Sequence, residues 1–243
     1  MLAINEKYES NNLKIIQFPA PMIPAAQPQK EKYVDKEIHI PVQPIRELEY
    51  IQKAKIYFLN KPERFKGQNI RDYTIFVLGI NLARRCGDLL HLRIHNVLDT
   101  ENNIKSNIII QEQKTGKIAN LIITPVIKEA LEMYFPTLGD INMFDPLFPS
   151  RNKDQDGNKK PMTLKNFYYK MQGLKAELEI VDPLGTHSLR KTWAYLALKN
   201  NKDDAHIVSK ISKALNHSNI ETTFRYLGIE QEELDALFID NQL

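Results

Sequence analysis

Cysteine is almost missing from this chain: Cys86 is the only one in 243 residues. A lone cysteine excludes an intramolecular disulfide and a cysteine-cluster zinc site, and it fits a reducing compartment. A marked excess of either charge is missing too. Lys and Arg number 33 against 30 Asp and Glu, a net charge of +3. That balance permits a polyanionic partner without demanding one. No apolar run approaches the length of a membrane span. The opening MLAINEKYES has neither a basic nor an apolar leader region, so no secretory signal is expected. Glycine is sparse, at nine residues. The chain has no Walker-type loop, no H-E-x-x-H and no clustered carboxylates, so no metal, nucleotide or other cofactor is signalled.

What is present is an ordinary globular composition, 42% apolar and 26% charged. Proline concentrates early, at Pro19, Pro21, Pro24, Pro28, Pro41 and Pro44. Residues 1–43 are therefore expected to form a proline-rich tail or linker, and residues 44–243 a single domain. IRELEYIQKAKIYFLN has helical spacing through Ile45, Leu48, Ile51 and Ile56. A second long helix is predicted across NIRDYTIFVLGINLARRCGDLLHLR, with Leu78, Leu82, Leu89 and Leu92 near one face. Gly79 and Gly87 interrupt it.

The β-branched runs NIII and LIIT, separated by a turn at Lys114–Lys117, predict a small antiparallel sheet. Thr124 before Pro125, and Thr163 before LKNFYYKMQGLKAELE, read as helix N-caps. Between them DPLFPSRNKDQDGNKKP reads as a loop. Helices are expected around HSLRKTWAYLALKN and DAHIVSKISKAL. A last short one over EQEELDALF puts Leu234, Leu237 and Phe238 on one side. The fold class is mainly α with a small antiparallel β-sheet (α+β).

Several residues invite a chemical reading, and each also has a plain one. Arg85 and Asp88 are three apart, which on a helix gives either a surface ion pair or a guanidinium held for an anion. Lys114 is either a solvated turn residue or an ammonium pushed into a cleft as a proton donor. His187 and Arg190 share a face if a helix begins near Thr186, close to backbone N–H groups that favour anions. His217 stands at a helix C-terminus, where it can simply complement the dipole. Tyr226, nine residues later, is by itself a packing residue.

The ordered set resembles the tyrosine recombinase (phage integrase) family. RCGDLLHL, QKTGK, THSLR, ALNH and TTFRY follow one another in the family's order, and LFPS at 147–150 matches another of its stretches. The resemblance covers roughly residues 45 to 243 and implies an integrase catalytic-domain fold. It also implies site-specific recombination of double-stranded DNA through a covalent 3′-phosphotyrosyl intermediate, without metal or ATP. By position, Arg85 and Arg190 would bind non-bridging phosphate oxygens and Lys114 would protonate the departing 5′ oxygen. His187 would assist proton transfer, His217 would hydrogen-bond the phosphate, Tyr226 would be the nucleophile, and Asp88 would brace the site.

The resemblance further implies a tetramer on DNA, coupled through the C-terminal segment, and a cytoplasmic, nucleoid-associated protein of prokaryotic or phage origin. Three features depart from the family's habit. Arg84 takes a normally apolar place, Asn216 replaces a glycine, and a proline-rich stretch stands where a helical core-DNA-binding domain is usual. The last suggests help from an accessory protein. Two other functions fit parts of the pattern: a DNA-binding regulator with little turnover, and a type IB topoisomerase-like relaxase. The L-N-H and T-T-F-R-Y spacing favours the recombinase.

Overall fold

The computed structural model describes residues 41–227 and 238–240. The expected N-terminal tail lies almost wholly outside those residues, as do Leu234 and Leu237. Phe238 is described, and its ring is exposed.

Helix α1 (Leu48–Asn60) starts three residues after the first apolar position expected of it. Its buried stripe is Ile51, Ala54 and Phe58, at spacings of three and four. Leu48 and Ile56, predicted for that face, are exposed. Helix α2 (Gln68–Asn81) is buried on every side and packs against α1, α5 (Pro125–Tyr134) and α7 (Thr186–Asn200). Its interior polar groups are satisfied: Thr74 Oγ1 donates to the Ile70 and Ala130 carbonyls, and Asp72 is paired with Arg71 and Lys170. Gly79 permits the close crossing with α7, because a Cβ there would stand 2.4 Å from Leu189 Cδ1.

The predicted continuation of α2 through residue 93 is broken. Ala83 takes a left-handed backbone, φ 55°, and a separate short helix α3 (Cys86–Leu90) follows. The leucine spacing persists across the break, and Leu78, Leu82, Leu89 and Leu92 are all buried. The apolar period therefore survives while the helix does not. After α4 (Ile94–Val97), strands β1 (Asn107–Gln111) and β2 (Ile118–Ile122) form the expected antiparallel hairpin, with Ile109 opposite Asn120. Ile108 and Ile110 face the core, which fixes the register.

Thr124 and Pro125 open α5 as predicted, although the Thr124 hydroxyl makes no cap bond. The segment read as a loop contains a second antiparallel pair, β3 (Pro149–Lys153) and β4 (Lys159–Pro161). Its turn is built on the Asp154 carboxylate, which accepts from the backbone N–H groups of Asp156 and Asn158. Thr163 Oγ1 caps α6 (Leu164–Glu177) by accepting from Asn166 N–H at 3.2 Å. Helices α8 (Ile207–Ala214) and α9 (Ile220–Leu227) follow, and the separately described residues 238–240 are helical. Among the described residues no helix is long and apolar enough to cross a membrane.

Candidate active site

The break after α2 puts Arg85 on extended backbone (φ −63°, ψ 137°) rather than on a helix face. The anticipated Arg85–Asp88 contact is therefore not made. Asp88 Oδ1 instead accepts from Gln113 N–H at 3.0 Å, anchoring the β1–β2 turn.

Arg85 pairs with a residue that sequence reasoning passed over. Its Nη1 donates to Glu112 Oε2 at 2.8 Å, while Arg84 Nη1 donates to Oε1 at 2.7 Å. Thr115 Oγ1 donates to the same carboxylate at 2.8 Å and Asn216 Nδ2 at 3.3 Å. Glu112 is fully buried. Burial by itself pushes its pKa up, but the hydrogen bonds from Thr115, Arg85 and Asn216 outweigh that and hold it at about 2. Arg84, at its normally apolar position, is buried and neutralised by this anion.

Lys114 lies exposed in the turn. Lys117, in the same turn, reaches across to the residues just after α8, where Nζ donates to the Asn216 carbonyl at 3.3 Å. Asn216 has a left-handed backbone, φ 59°, which asparagine tolerates in place of glycine.

Helix α7 begins at Thr186, and Gly185 N–H donates to Ser188 Oγ at 3.0 Å just before it. Arg190 is 2% exposed; its Nη2 donates to the Leu215 carbonyl at 2.6 Å and meets His217 Nε2 at 3.3 Å. A guanidinium can only donate, so Nε2 of His217 accepts. Nδ1 then carries the proton and donates to Thr223 Oγ1 at 2.9 Å. Burial, then the Arg190 and Arg85 charges, pull His217 down to about 4. His187 stands at the outer edge of the cluster. Its pKa is lowered by desolvation, then by Arg190, Arg85, Lys191 and Lys114.

Tyr226 closes the group. Its ring meets His217 edge-on at 5.5 Å between centroids, and the Arg190 guanidinium lies 6.0 Å from its centroid. Lys191, which sequence reasoning did not single out, places Nζ 5.3 Å from the same centroid. The Tyr226 hydroxyl is buried without a hydrogen-bond partner, as is Arg190 Nη1. Burial pushes the phenol up to about 12, against the opposing pull of Arg190 and Arg85. Arg85, Arg190, His217 and Tyr226 thus share one locality, with His187 and the Lys114 turn at its border. Chemically, the cluster gathers two guanidinium groups and an imidazole beside a neutral phenol.

Residues 50–233 match the model of the phage integrase family. The chain belongs to that family. Its fold and its place among tyrosine-type site-specific recombinases follow from this membership. A Bacillus subtilis (strain 168) protein named "Probable integrase/recombinase YoeC" is 33% identical over 201 residues, covering 83% of this chain and 97% of that protein. Among solved structures, XerA recombinase superposes with a TM-score of 0.58 at 20% identity, over 84% of this chain and 66% of that one. XerH site-specific recombinase bound to difH substrate gives 0.56 at 18% identity, over 84% and 55%. This phage integrase family chain therefore spans about two thirds or less of those structures' own chains.

Proposed function

We propose that this protein cleaves and rejoins double-stranded DNA at a specific site through a 3′-phosphotyrosyl intermediate. The observation that carries the proposal is the Tyr226 phenol, packed against His217 and the Arg190 guanidinium with its hydroxyl unpartnered. Tyr226 O attacks the scissile phosphorus and the P–O5′ bond breaks. The phenolic proton passes to His187, whose lowered pKa keeps it neutral and able to accept. Lys114 gives a proton to the departing 5′ oxygen, leaving a free 5′-hydroxyl.

Arg85 and Arg190 stabilise charge on the non-bridging oxygens, so the step needs neither metal nor ATP. The phosphotyrosine retains the energy of the phosphodiester, and the reverse attack by a 5′-hydroxyl rejoins the strand. Asp88 supports the site through the hairpin rather than through Arg85.

In this reading residues 44–243 are the catalytic domain and residues 1–43 a tail. The protein works on DNA as a homo-tetramer, coupled through the C-terminal segment and aided by an accessory protein. It acts in the cytoplasm at the nucleoid.

A nicked suicide duplex bearing the site tests the chemistry. An SDS-stable adduct is expected from the unaltered protein and none from Tyr226→Phe. No adduct across candidate sites would favour a DNA-binding regulator. Adduct with plasmid relaxation but no strand exchange would favour a topoisomerase-like relaxase.

A further inference from the structure

Glu112 does more than neutralise one buried arginine. A carboxylate has about four lone-pair sites, and here all four are filled, by Arg84, Arg85, Thr115 and Asn216. Those donors come from three separate parts of the chain: the break after α2, the β1–β2 turn, and the residue immediately before His217.

The same residue closes the turn through its backbone. Glu112 N–H donates to the Lys117 carbonyl at 2.9 Å, and Gly116 N–H donates to the Glu112 carbonyl at 2.8 Å. Gln113 and Lys117 are pinned in turn to Asp88 and Asn216. Lys114 therefore rides on a turn whose flanks are all tied to the wall that holds Arg85.

We propose that Glu112 is a positioning residue for strand cleavage: it sets the Lys114 turn at a fixed distance from Arg85, so that the proton donor and the phosphate clamp address one phosphate together. This rests on the covalent-cleavage reading above. Its physical basis is that a proton donor and an anion clamp acting on one reacting group must be registered to within a fraction of an ångström. The hairpin is otherwise exposed along residues 113–118, and among the described residues Glu112 is the side chain that joins it directly to Arg85.

The test has to separate positioning from simple charge balance. Glu112→Gln alone leaves Arg84 buried without an anion and so confounds positioning with unfolding; the informative protein is the double variant Arg84→Met with Glu112→Gln, which removes both buried charges. Two nicked suicide substrates are compared, one ordinary and one with sulfur at the bridging 5′ position, since a thiolate leaves without a proton.

The double variant should keep its melting temperature and its DNA affinity. Adduct formation on the oxygen substrate should fall about 100-fold, the cost of a misplacement near 1 Å. On the sulfur substrate the loss should be less than about tenfold, because the donor is no longer needed. Amide exchange at residues 113–117 should quicken. Unaltered cleavage by the double variant, equal losses on both substrates, or unchanged exchange in the turn would each overturn this inference alone. Absence of any Tyr226-dependent adduct from the unaltered protein on either substrate would overturn the parent reading, and this inference with it.

Discussion

His217 is held neutral by burial first and by the Arg190 and Arg85 charges second, with a pKa of about 4 against an ordinary 6.5. The sign of the consequence follows from proton counting. Between those two values the unfolded chain takes up a proton that the folded protein refuses. Stability is thus fully present above pH 6.5 and declines as pH falls toward 4. The melting temperature of the unaltered protein should drop more between pH 7 and pH 4.5 than that of His217→Asn, measured calorimetrically in one buffer series. A bound phosphodiester adds a negative charge beside Arg190 and offsets the cations. The His217 midpoint, followed by NMR in a Tyr226→Phe background, should therefore rise by about one unit or more on saturation with duplex DNA. A midpoint that stays near 4 in the complex would mean that no phosphate reaches Arg190 and His217.

At the scale of elements, the crossing of α2 over α7 governs where His187 and Arg190 sit. A methyl at Gly79 would meet Leu189 at three carbons, Cδ1 at 2.4 Å, Cβ at 3.1 Å and Cγ at 3.2 Å, and Leu189 is itself buried. Overpacking of this kind costs about 1–3 kcal/mol, while replacing glycine within a helix returns roughly 0.5–1 kcal/mol. The clash wins. Gly79→Ala should lower the melting temperature by a few degrees, about 2–4 °C per kcal/mol for a domain of this size. It should also slow adduct formation more than it weakens DNA binding, because α7 is displaced. A higher melting temperature would show that helix propensity outweighs the contact.

Elements whose signals are local were legible from sequence: the hairpin from its alternating isoleucines, α6 from its threonine cap, α7 from its start at Thr186. The break at Ala83 was not, because the buried leucines keep helical spacing through it. The β3–β4 pair was missed because Arg151, Asn152 and Lys153 are all exposed and the strand shows no alternation. Glu112 was missed for a different reason. Three of its four partners stand 28, 27 and 104 residues away in the chain, and no window of sequence contains them.

For the whole molecule, a net charge of +3 supplies little long-range attraction to DNA, so affinity has to come from where the cations are placed. One concentration of them lies at the N-terminal end of α2, whose 14 residues span roughly 20 Å from there to the break before Arg85. A cavity of about 480 Å³ is lined there by Lys61, Arg64, Arg71, Arg151 and Lys170, with Tyr169 beside them. Two of these cations are already spoken for, since Arg71 and Lys170 pair with the buried Asp72. Arg64 and Arg151 are exposed and form no ion pair among the described residues. On the proposed reading, these exposed arginines would take backbone phosphates of a duplex extending from the cleavage site. Each phosphate neutralised releases condensed counterions and contributes about 0.9 to the slope of log K against log salt. Replacing both with alanine in a Tyr226→Phe background should therefore reduce that slope by about 2, with equal loss on specific and non-specific duplexes. Tyr226-dependent chemistry is silent in this background, so the measurement reads binding alone. An unchanged slope would place the duplex elsewhere, whereas a loss confined to one sequence would make these arginines readers of bases rather than clamps on phosphate.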